Sequence, residues 1–205
     1  MTNAELILDI TKTYDDRTRE EILANLNIAI ALSKAKGKAV DRYRALPAIT
    51  ERSKHSVMSW FNRDKKIPLI DLCVIAVYLE YNLYAFFDKN GDVAGFLSAN
   101  DYCNSQYPKD SAEIFIRASK LQYDTDKNIV LDNLEKYYGS SQEIMEHHSN
   151  RRQADVMEIC GCELQTYYAW FNRSRTNVRV PLIALCKLAA SANVDIFDLF
   201  KKVSE

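Results

Sequence analysis

Apolar residues along this chain recur every three or four positions, the spacing of one helix face, and rarely at every second position. Ile22 and Leu26 belong to one such series, and Thr18 with Glu21 three residues later forms a capping box ahead of it. The series predicts a helix of about four turns that stops at Gly37. No run of alternating β-branched residues lies between turn dipeptides, so the pattern predicts an all-α fold.

Three further helical segments are predicted in the first half of the chain. A short one covers Val40–Ile49, where Pro47 limits its length because proline lacks the amide hydrogen that a helix interior requires. The next covers Lys54–Asn62 after a turn, and Pro68 opens the third. The second half of the chain repeats this order of elements.

The chain carries one sequence pattern twice. The pentapeptide SWFNR at residues 59–63 returns as AWFNR at 169–173, and IPLIDLC at 67–73 returns as VPLIALC at 180–186. The separation is 108 residues at Leu23 and Leu131, 110 at the tryptophans and 113 at the prolines, so two short insertions explain the drift. A repeat of half the chain indicates tandem domains. We predict a first domain at residues 1–87, a linker at 88–108 and a second domain at 109–205.

Composition agrees with an ordered, helix-rich protein. The 205 residues are 47% apolar and 27% charged, with five glycines and four prolines. The first ten residues lack a basic start followed by a long apolar run, so no secretory signal is expected. Charged residues interrupt the apolar stretches Ile67–Phe87 and Val180–Phe200, which argues against membrane spans. A cytoplasmic protein without a membrane partner is expected.

Neither a cofactor nor a metal site is predicted. The five cysteines are odd in number, and Cys160 and Cys162 lie two apart rather than at the spacing of zinc knuckles. The chain lacks a glycine-rich phosphate loop, a nucleophile elbow and a carboxylate pair that recurs in both repeats. An enzyme is therefore not expected.

The spacing around Gly161 predicts two short helices joined by a tight turn. Val156 lies five residues before this glycine, Cys162 follows it, Tyr167 is six residues after it and Trp170 nine. Glycine suits such a turn because it adopts positive φ without steric cost. We expect these four residues on the buried side of the helix pair, and Trp60, Phe61 and Phe171 in the cores as well. The first copy has Glu51 at the position of the glycine.

This spacing resembles the helix-turn-helix of the Cro and phage-repressor (XRE) family. The resemblance covers about 50 to 60 residues of each copy, roughly residues 38–87 and 150–200, and continues through a basic loop, a proline and a further helix. It implies an all-α domain of the lambda-repressor-like type in each copy. It also implies that the second helix of each pair enters the major groove of DNA.

The resemblance assigns DNA-facing residues by position. In the first copy, base edges would meet Lys54, His55, Ser56 and Ser59, with Ser53 as the N-cap, and phosphates would meet Arg52, Asn62, Arg63, Lys65 and Lys66. In the second copy, the groove-facing set is Leu164, Gln165, Thr166 and Ala169, with Tyr168 near sugar or phosphate and Asn172, Arg173, Arg175 and Arg179 on phosphates. Lys54 suits guanine acceptors, Gln165 suits adenine, and Thr166 suits a thymine methyl group.

Charge is concentrated in the first copy. Residues 34–66 hold ten basic and three acidic residues, whereas residues 151–187 hold six and three. The net charge of −1 argues against general attachment to nucleic acid, but a concentrated basic patch attracts phosphates. We therefore expect the first copy to make most DNA contacts. The second copy would either extend a non-palindromic site or mediate self-association, for example as a homodimer.

The sequence indicates two alternative functions. The first is a sequence-specific, repressor-like transcriptional regulator that binds double-stranded DNA through two helix-turn-helix units. The alternative is a protein-interaction module, such as an antitoxin or a phage-type inhibitor, that presents the same helical surface to a protein partner.

Overall fold

The computed structural model describes residues 1–38, 40–62, 65–89, 108, 110–138 and 151–202, with the backbone alone at 151 and 152. The secondary structure of these residues is helical, and none of them forms a strand. The predicted all-α class is therefore confirmed. Arg63 and residues 90–107 of the predicted linker lie outside the described residues.

The helices follow one order in each half of the chain. The first half contains α1 (Asn3–Asp15), α2 (Arg19–Ala35), α3 (Ala45–Thr50), α4 (Lys54–Asn62), α5 (Leu69–Leu79) and a 3₁₀ segment, Leu83–Phe87. The second half contains α6 (Ser111–Asp124), α7 (Lys127–Tyr138), α8 (Arg151–Cys160), α9 (Leu164–Phe171), α10 (Leu182–Ser191) and a 3₁₀ segment, Ile196–Phe200. The bounds predicted for α4 are confirmed.

Local sequence signals explain where α2 begins and ends. The side chain of Thr18 accepts a hydrogen bond from the amide of Glu21, and the Glu21 carboxylate accepts one from the amide of Thr18. This reciprocal pair is the predicted capping box. The helix ends just before Gly37, whose φ of 83° no ordinary side chain adopts without strain.

Helix α3 is shorter than its counterpart α8, with six residues against ten. Pro47 lies in the first turn of α3, where a backbone amide has no hydrogen-bond partner within the helix. The missing amide hydrogen of proline therefore costs no helical hydrogen bond. An earlier start would place Pro47 deeper in the helix, where its ring clashes with a preceding carbonyl. The short helix predicted in this region is confirmed, but it begins at Ala45 and not at Val40.

The described residues divide into two compact units by their contacts. The first unit is Asp9–Ile116, and the second unit is Met1–Leu8 together with Arg117–Glu205. The domain bounds predicted from the repeat, residues 1–87 and 109–205, stay a prediction.

Each unit has its own hydrophobic core. In the first unit, Ile22 and Leu26 of α2 and Leu72 and Ile75 of α5 are fully buried together with Phe86. The second unit buries Leu131, Leu134, Leu185, Leu188 and Leu199, which come from α7, α10 and the second 3₁₀ segment. Burial of these side chains provides the main favourable free energy for folding each unit.

Positive φ angles occur at corresponding places in the two copies. Glu51 after α3 has φ 54°, and Gly161 after α8 has φ 65°. Glu80 after α5 has φ 61°, and Asn193 after α10 has φ 54°. Glu51 therefore adopts the left-handed conformation that the sequence assigns to glycine in the second copy, although this costs more for glutamate.

Candidate nucleic-acid interface

Helix α4 buries one face and exposes the other. Its buried residues are Val57, Ser59 and Trp60. On the opposite face Lys54 and His55 are exposed. The buried residues pack α4 against the rest of the first unit, so the backbone that carries Lys54 and His55 is held in place.

Ser53 determines where α4 starts. Its Oγ accepts a hydrogen bond from the amide of Ser56 at 3.1 Å and lies 2.9 Å from the Ser56 hydroxyl oxygen. Ser53 is thus the predicted N-cap, and it satisfies an amide that has no partner inside the helix. The cap uses the Ser56 hydroxyl as well, so this hydroxyl is already engaged within the protein.

A groove of about 320 Å³ lies along α4 and the start of α5. Its lining includes four residues with basic side chains, one buried carboxylate and two serines: Arg52, His55, Lys65, Lys66, Asp71, Ser56 and Ser59. Trp60 and Pro68 complete the lining. The groove therefore combines positive charge with an apolar wall formed by Trp60 and Pro68, and the positive charge suits an anionic ligand.

Arg52 and Asp71 form an ion pair in this groove. Arg52 Nε lies 3.0 Å from Oδ1 and 3.1 Å from Oδ2 of Asp71. The Asp71 side chain is only 4% exposed, whereas that of Arg52 is 47% exposed. Burial raises the pKa of the Asp71 carboxyl, and the hydrogen bond and charge of Arg52 act in the opposite direction.

The two lysines of the groove differ in solvent exposure and in hydrogen bonding. Lys65 is exposed. Lys66 Nζ donates to the backbone oxygen of Tyr14 at 2.5 Å and lies 3.9 Å from the centre of its ring. Partial burial lowers the pKa of Lys66. Lys65 is thus the more available of the two for a phosphate.

Lys54 also has an aromatic neighbour. Its Nζ lies 5.4 Å from the ring centre of Tyr43, which is 54% exposed. Asp41 Oδ1 accepts hydrogen bonds from the amides of Tyr43 and Arg44, which orders the chain just before α3. The result is an exposed basic and aromatic surface beside the N-terminus of α4.

In each copy, a basic side chain from an earlier helix donates hydrogen bonds to backbone oxygens at the C-terminal end of the helix predicted to enter the DNA groove, α4 or α9. Arg19 donates to the backbone oxygens of Trp60 and Phe61 at the end of α4. Lys127 Nζ donates to the oxygens of Ala169, Asn172 and Arg175 at the end of α9. Sequence reasoning missed both residues, although a basic residue recurs 108 positions later in the repeat. Such cations satisfy carbonyls that the helix leaves unbonded.

The surface of α9 is different from that of α4. None of its residues is buried. Leu164 is 41% exposed and Tyr168 57% exposed, and Gln165 is exposed between them. Thr166 is partly buried. This helix offers apolar and aromatic surface where α4 offers lysine and histidine.

Two of the predicted phosphate contacts of the second unit already have internal partners. Arg173 Nη2 lies 2.7 Å from the Asp132 carboxylate and 3.1 Å from that of Glu135. Arg179 donates to the backbone oxygens of Gln122 and Thr125. Asn172 and Arg175 are exposed, and Asn172 Oδ1 accepts hydrogen bonds from Ser174.

Two sequence predictions need correction. Ser59 was expected to face base edges, but it is 8% exposed and its hydroxyl donates to the Ser56 oxygen at 2.6 Å. A small hydroxyl that bonds to its own helix is buried at little cost, so Ser59 belongs to the packed side. Arg52, which was expected to contact a phosphate, pairs with Asp71 through Nε alone, so its phosphate contact stays a prediction.

The second correction concerns the predicted core. Trp60 is buried, but Trp170, Phe61, Phe171 and Cys162 are only partly buried. Tyr167 stands where the first copy has the buried Val57, and its ring stacks on Phe171 at 4.6 Å instead of filling the core. A phenol requires a polar neighbour for its hydroxyl, which explains why it stays at the edge.

The part of the chain that the structure describes contains no cluster of three or more histidine, cysteine, aspartate or glutamate side chains suited to a metal ion. Of the helices described, none combines the length and hydropathy needed to cross a lipid bilayer. No protein-family model, curated protein or solved structure matches the chain.

Proposed function

We propose that this chain is a sequence-specific, repressor-like regulator that binds double-stranded DNA with its first unit. The observation that carries the proposal is the basic surface around α4. Lys54, His55 and Lys65 are exposed there, and Arg52 lines the adjoining groove. Phosphates bind such a surface through charge, and in this proposal the exposed side chains near the start of α4 meet base edges.

The proposal treats α3 with α4, and α8 with α9, as helix-turn-helix pairs. The left-handed residues Glu51 and Gly161 stand at the turn of each pair, which supports this assignment. In such a pair the second helix lies in the major groove while the first crosses the DNA backbone. Helix α4 then reads bases, with Lys54 directed at guanine acceptors.

The experiment is a selection from random duplexes with the full-length protein, followed by affinity measurements across salt concentrations. We expect one enriched sequence and a steep fall of affinity with salt, by about one unit of slope for each phosphate contacted. The variant Lys54→Ala/Lys65→Ala should bind more weakly and with a shallower slope. Its matched control is Lys120→Ala/Lys136→Ala, which removes two exposed lysines of the second unit.

Absence of any enriched duplex, or an affinity that does not respond to salt, rejects the proposal. Equal losses in the two double variants would also reject it, because charge alone would then explain the binding.

The exposed apolar surface of α9 favours a second candidate function, binding of a protein through the second unit. Leu164 and Tyr168 lie one helical turn apart and are both exposed, while Arg173 and Arg179 are engaged internally. Exposed aromatic residues of this kind are enriched at protein interfaces. Sedimentation at increasing concentration tests self-association, which Leu164→Ser/Tyr168→Ser should abolish. A monomer at every concentration would exclude the homodimer.

A further inference from the structure

The pairing of Arg52 with Asp71 leaves part of the arginine side chain unused. Only Nε donates to the carboxylate, and among the described residues no hydrogen bond is made by Nη1 or Nη2. A guanidinium group carries four N–H donors on those two nitrogens, in a planar fork that matches a phosphate. One edge of the group is therefore held, and the other remains free to bind.

The partner that holds Arg52 is itself buried. Asp71 lies in the first turn of α5, and its side chain is 4% exposed. The Arg52 side chain is 47% exposed and lines the same groove as His55 and Lys65. A buried carboxylate thus fixes the direction of a cation at the edge of the basic surface.

The second copy lacks this arrangement. Cys162 stands at the position of Arg52 and Ala184 at that of Asp71. The rest of the framework is kept, since Pro181 precedes α10 as Pro68 precedes α5. The ion pair is therefore not required to form the helix pair, which favours a role in the surface that only the first copy has.

We propose that Asp71 is a positioning residue, which directs the free edge of Arg52 at one phosphate group of bound duplex DNA. This inference rests on the proposed function and adds to it a contact and the residue that prepares it. An arginine fixed before binding loses less conformational freedom on contact, so the same hydrogen bonds give a higher affinity.

The direction in which Asp71→Asn changes DNA affinity distinguishes a positioning role from a purely electrostatic one. Asp71 is negative and lies beside the predicted DNA surface, so Coulomb repulsion alone predicts that Asp71→Asn tightens DNA binding. If Asp71 positions Arg52, the same substitution weakens binding, because asparagine offers one acceptor oxygen and no charge. Asn also retains the shape of the buried side chain.

The test uses the full-length protein and its selected duplex, with Asp71→Asn, Arg52→Ala and the double variant. We expect Asp71→Asn to weaken binding about fivefold in the presence of Arg52 and not to weaken it in the Arg52→Ala background. Replacing one phosphate by a neutral methylphosphonate should weaken binding by the wild-type protein and leave Arg52→Ala unaffected. Unchanged or tighter binding by Asp71→Asn in both backgrounds overturns the inference.

Arg52→Lys keeps the test decisive if Asp71→Asn does not fold, as judged by circular dichroism. Lysine keeps the positive charge but cannot pair through one nitrogen and present a fork with two others. We expect it to weaken binding about as much as Asp71→Asn, and wild-type affinity in Arg52→Lys refutes positioning. If the wild-type protein selects no duplex, both the proposed function and this inference are rejected. If it selects a duplex that the variants bind equally well, only this inference is rejected.

Discussion

Asn25 and Asn133 make the same two hydrogen bonds at equivalent places, 108 positions apart in the chain. Asn25 Nδ2 donates to the backbone oxygens of Phe86 at 3.2 Å and Asp88 at 2.8 Å. Asn133 Nδ2 donates to those of Leu199 at 3.1 Å and Lys201 at 2.7 Å. In each unit a buried amide thus ties the second helix to the end of the 3₁₀ segment.

Replacing either asparagine by alanine should destabilise its own unit. The substitution leaves two carbonyl groups without a partner where the side chain was almost completely buried. We expect Asn25→Ala and Asn133→Ala each to lower the free energy of unfolding by about 2 kcal/mol, measured by urea unfolding. A loss at one site only would show that the two bonds are not equivalent in energy.

The turn between α3 and α4 should become more stable with glycine. Glu51 has φ 54°, a conformation in which its Cβ approaches the following carbonyl oxygen. Glu51→Gly should raise the free energy of unfolding by about 1 kcal/mol. The matched change, Gly161→Ala at φ 65°, should lower it by a similar amount, since no atom within 4 Å crowds the new Cβ and only backbone strain remains. Thermal unfolding of both variants measures the effects, and a destabilised Glu51→Gly would show that its side chain makes a compensating interaction.

Lys127 should stabilise the C-terminal end of α9. It is 5% exposed, and its ammonium group bonds to three carbonyl oxygens. Lys127→Met should lower the free energy of unfolding by about 2 to 3 kcal/mol and speed tryptic cleavage after the exposed Arg175. Lys127→Arg should retain most of the stability, because the first unit uses Arg19 at the equivalent place. Equal cleavage rates for Lys127→Met and the wild-type protein would contradict this role.

Tyr14 should make stability fall at alkaline pH. Its hydroxyl donates to the Ile67 oxygen at 2.7 Å, and burial raises its pKa from 10.0 to about 12, with a further contribution from Asp15. The folded state therefore holds the proton more tightly than the unfolded state. This stabilisation is complete below pH 10 and is lost as pH rises towards 12. Tyr14→Phe should be about 1 kcal/mol less stable at pH 8 and should lose less stability between pH 10 and 12, measured by urea unfolding at each pH. Parallel pH profiles would refute the assignment.

The two units should contribute unequally to DNA affinity. Lys54→Ala removes an exposed charge beside α4, whereas Gln165→Ala removes a neutral side chain from a helix with an apolar exposed face. We expect Lys54→Ala to weaken binding to the selected duplex about tenfold and Gln165→Ala less than threefold, measured by fluorescence anisotropy. Equal losses would mean that both helices read bases.

Local elements of this fold were predictable because their signals lie within a few residues. Thr18 and Glu21 form a capping box within one helical turn, and Ser53 caps α4 from the residue just before it. Pro47 restricts the helix that contains it. A basic residue recurs at positions 19 and 127, but its contacts with backbone oxygens were missed because those oxygens lie more than 40 positions later in the chain.

The sequence by itself determined the helical class, the extent of α4 and the concentration of basic residues in the first copy, since periodicity, capping and charge are properties of neighbouring residues. Only the tertiary structure decided which basic residues have an acidic partner within the protein. Arg52 meets Asp71 nineteen positions later, and Arg173 meets Asp132 and Glu135 on another helix. A cation is neutralised by whatever the fold brings within a few ångströms of it, and that distance depends on the packing of helices that are far apart in the chain.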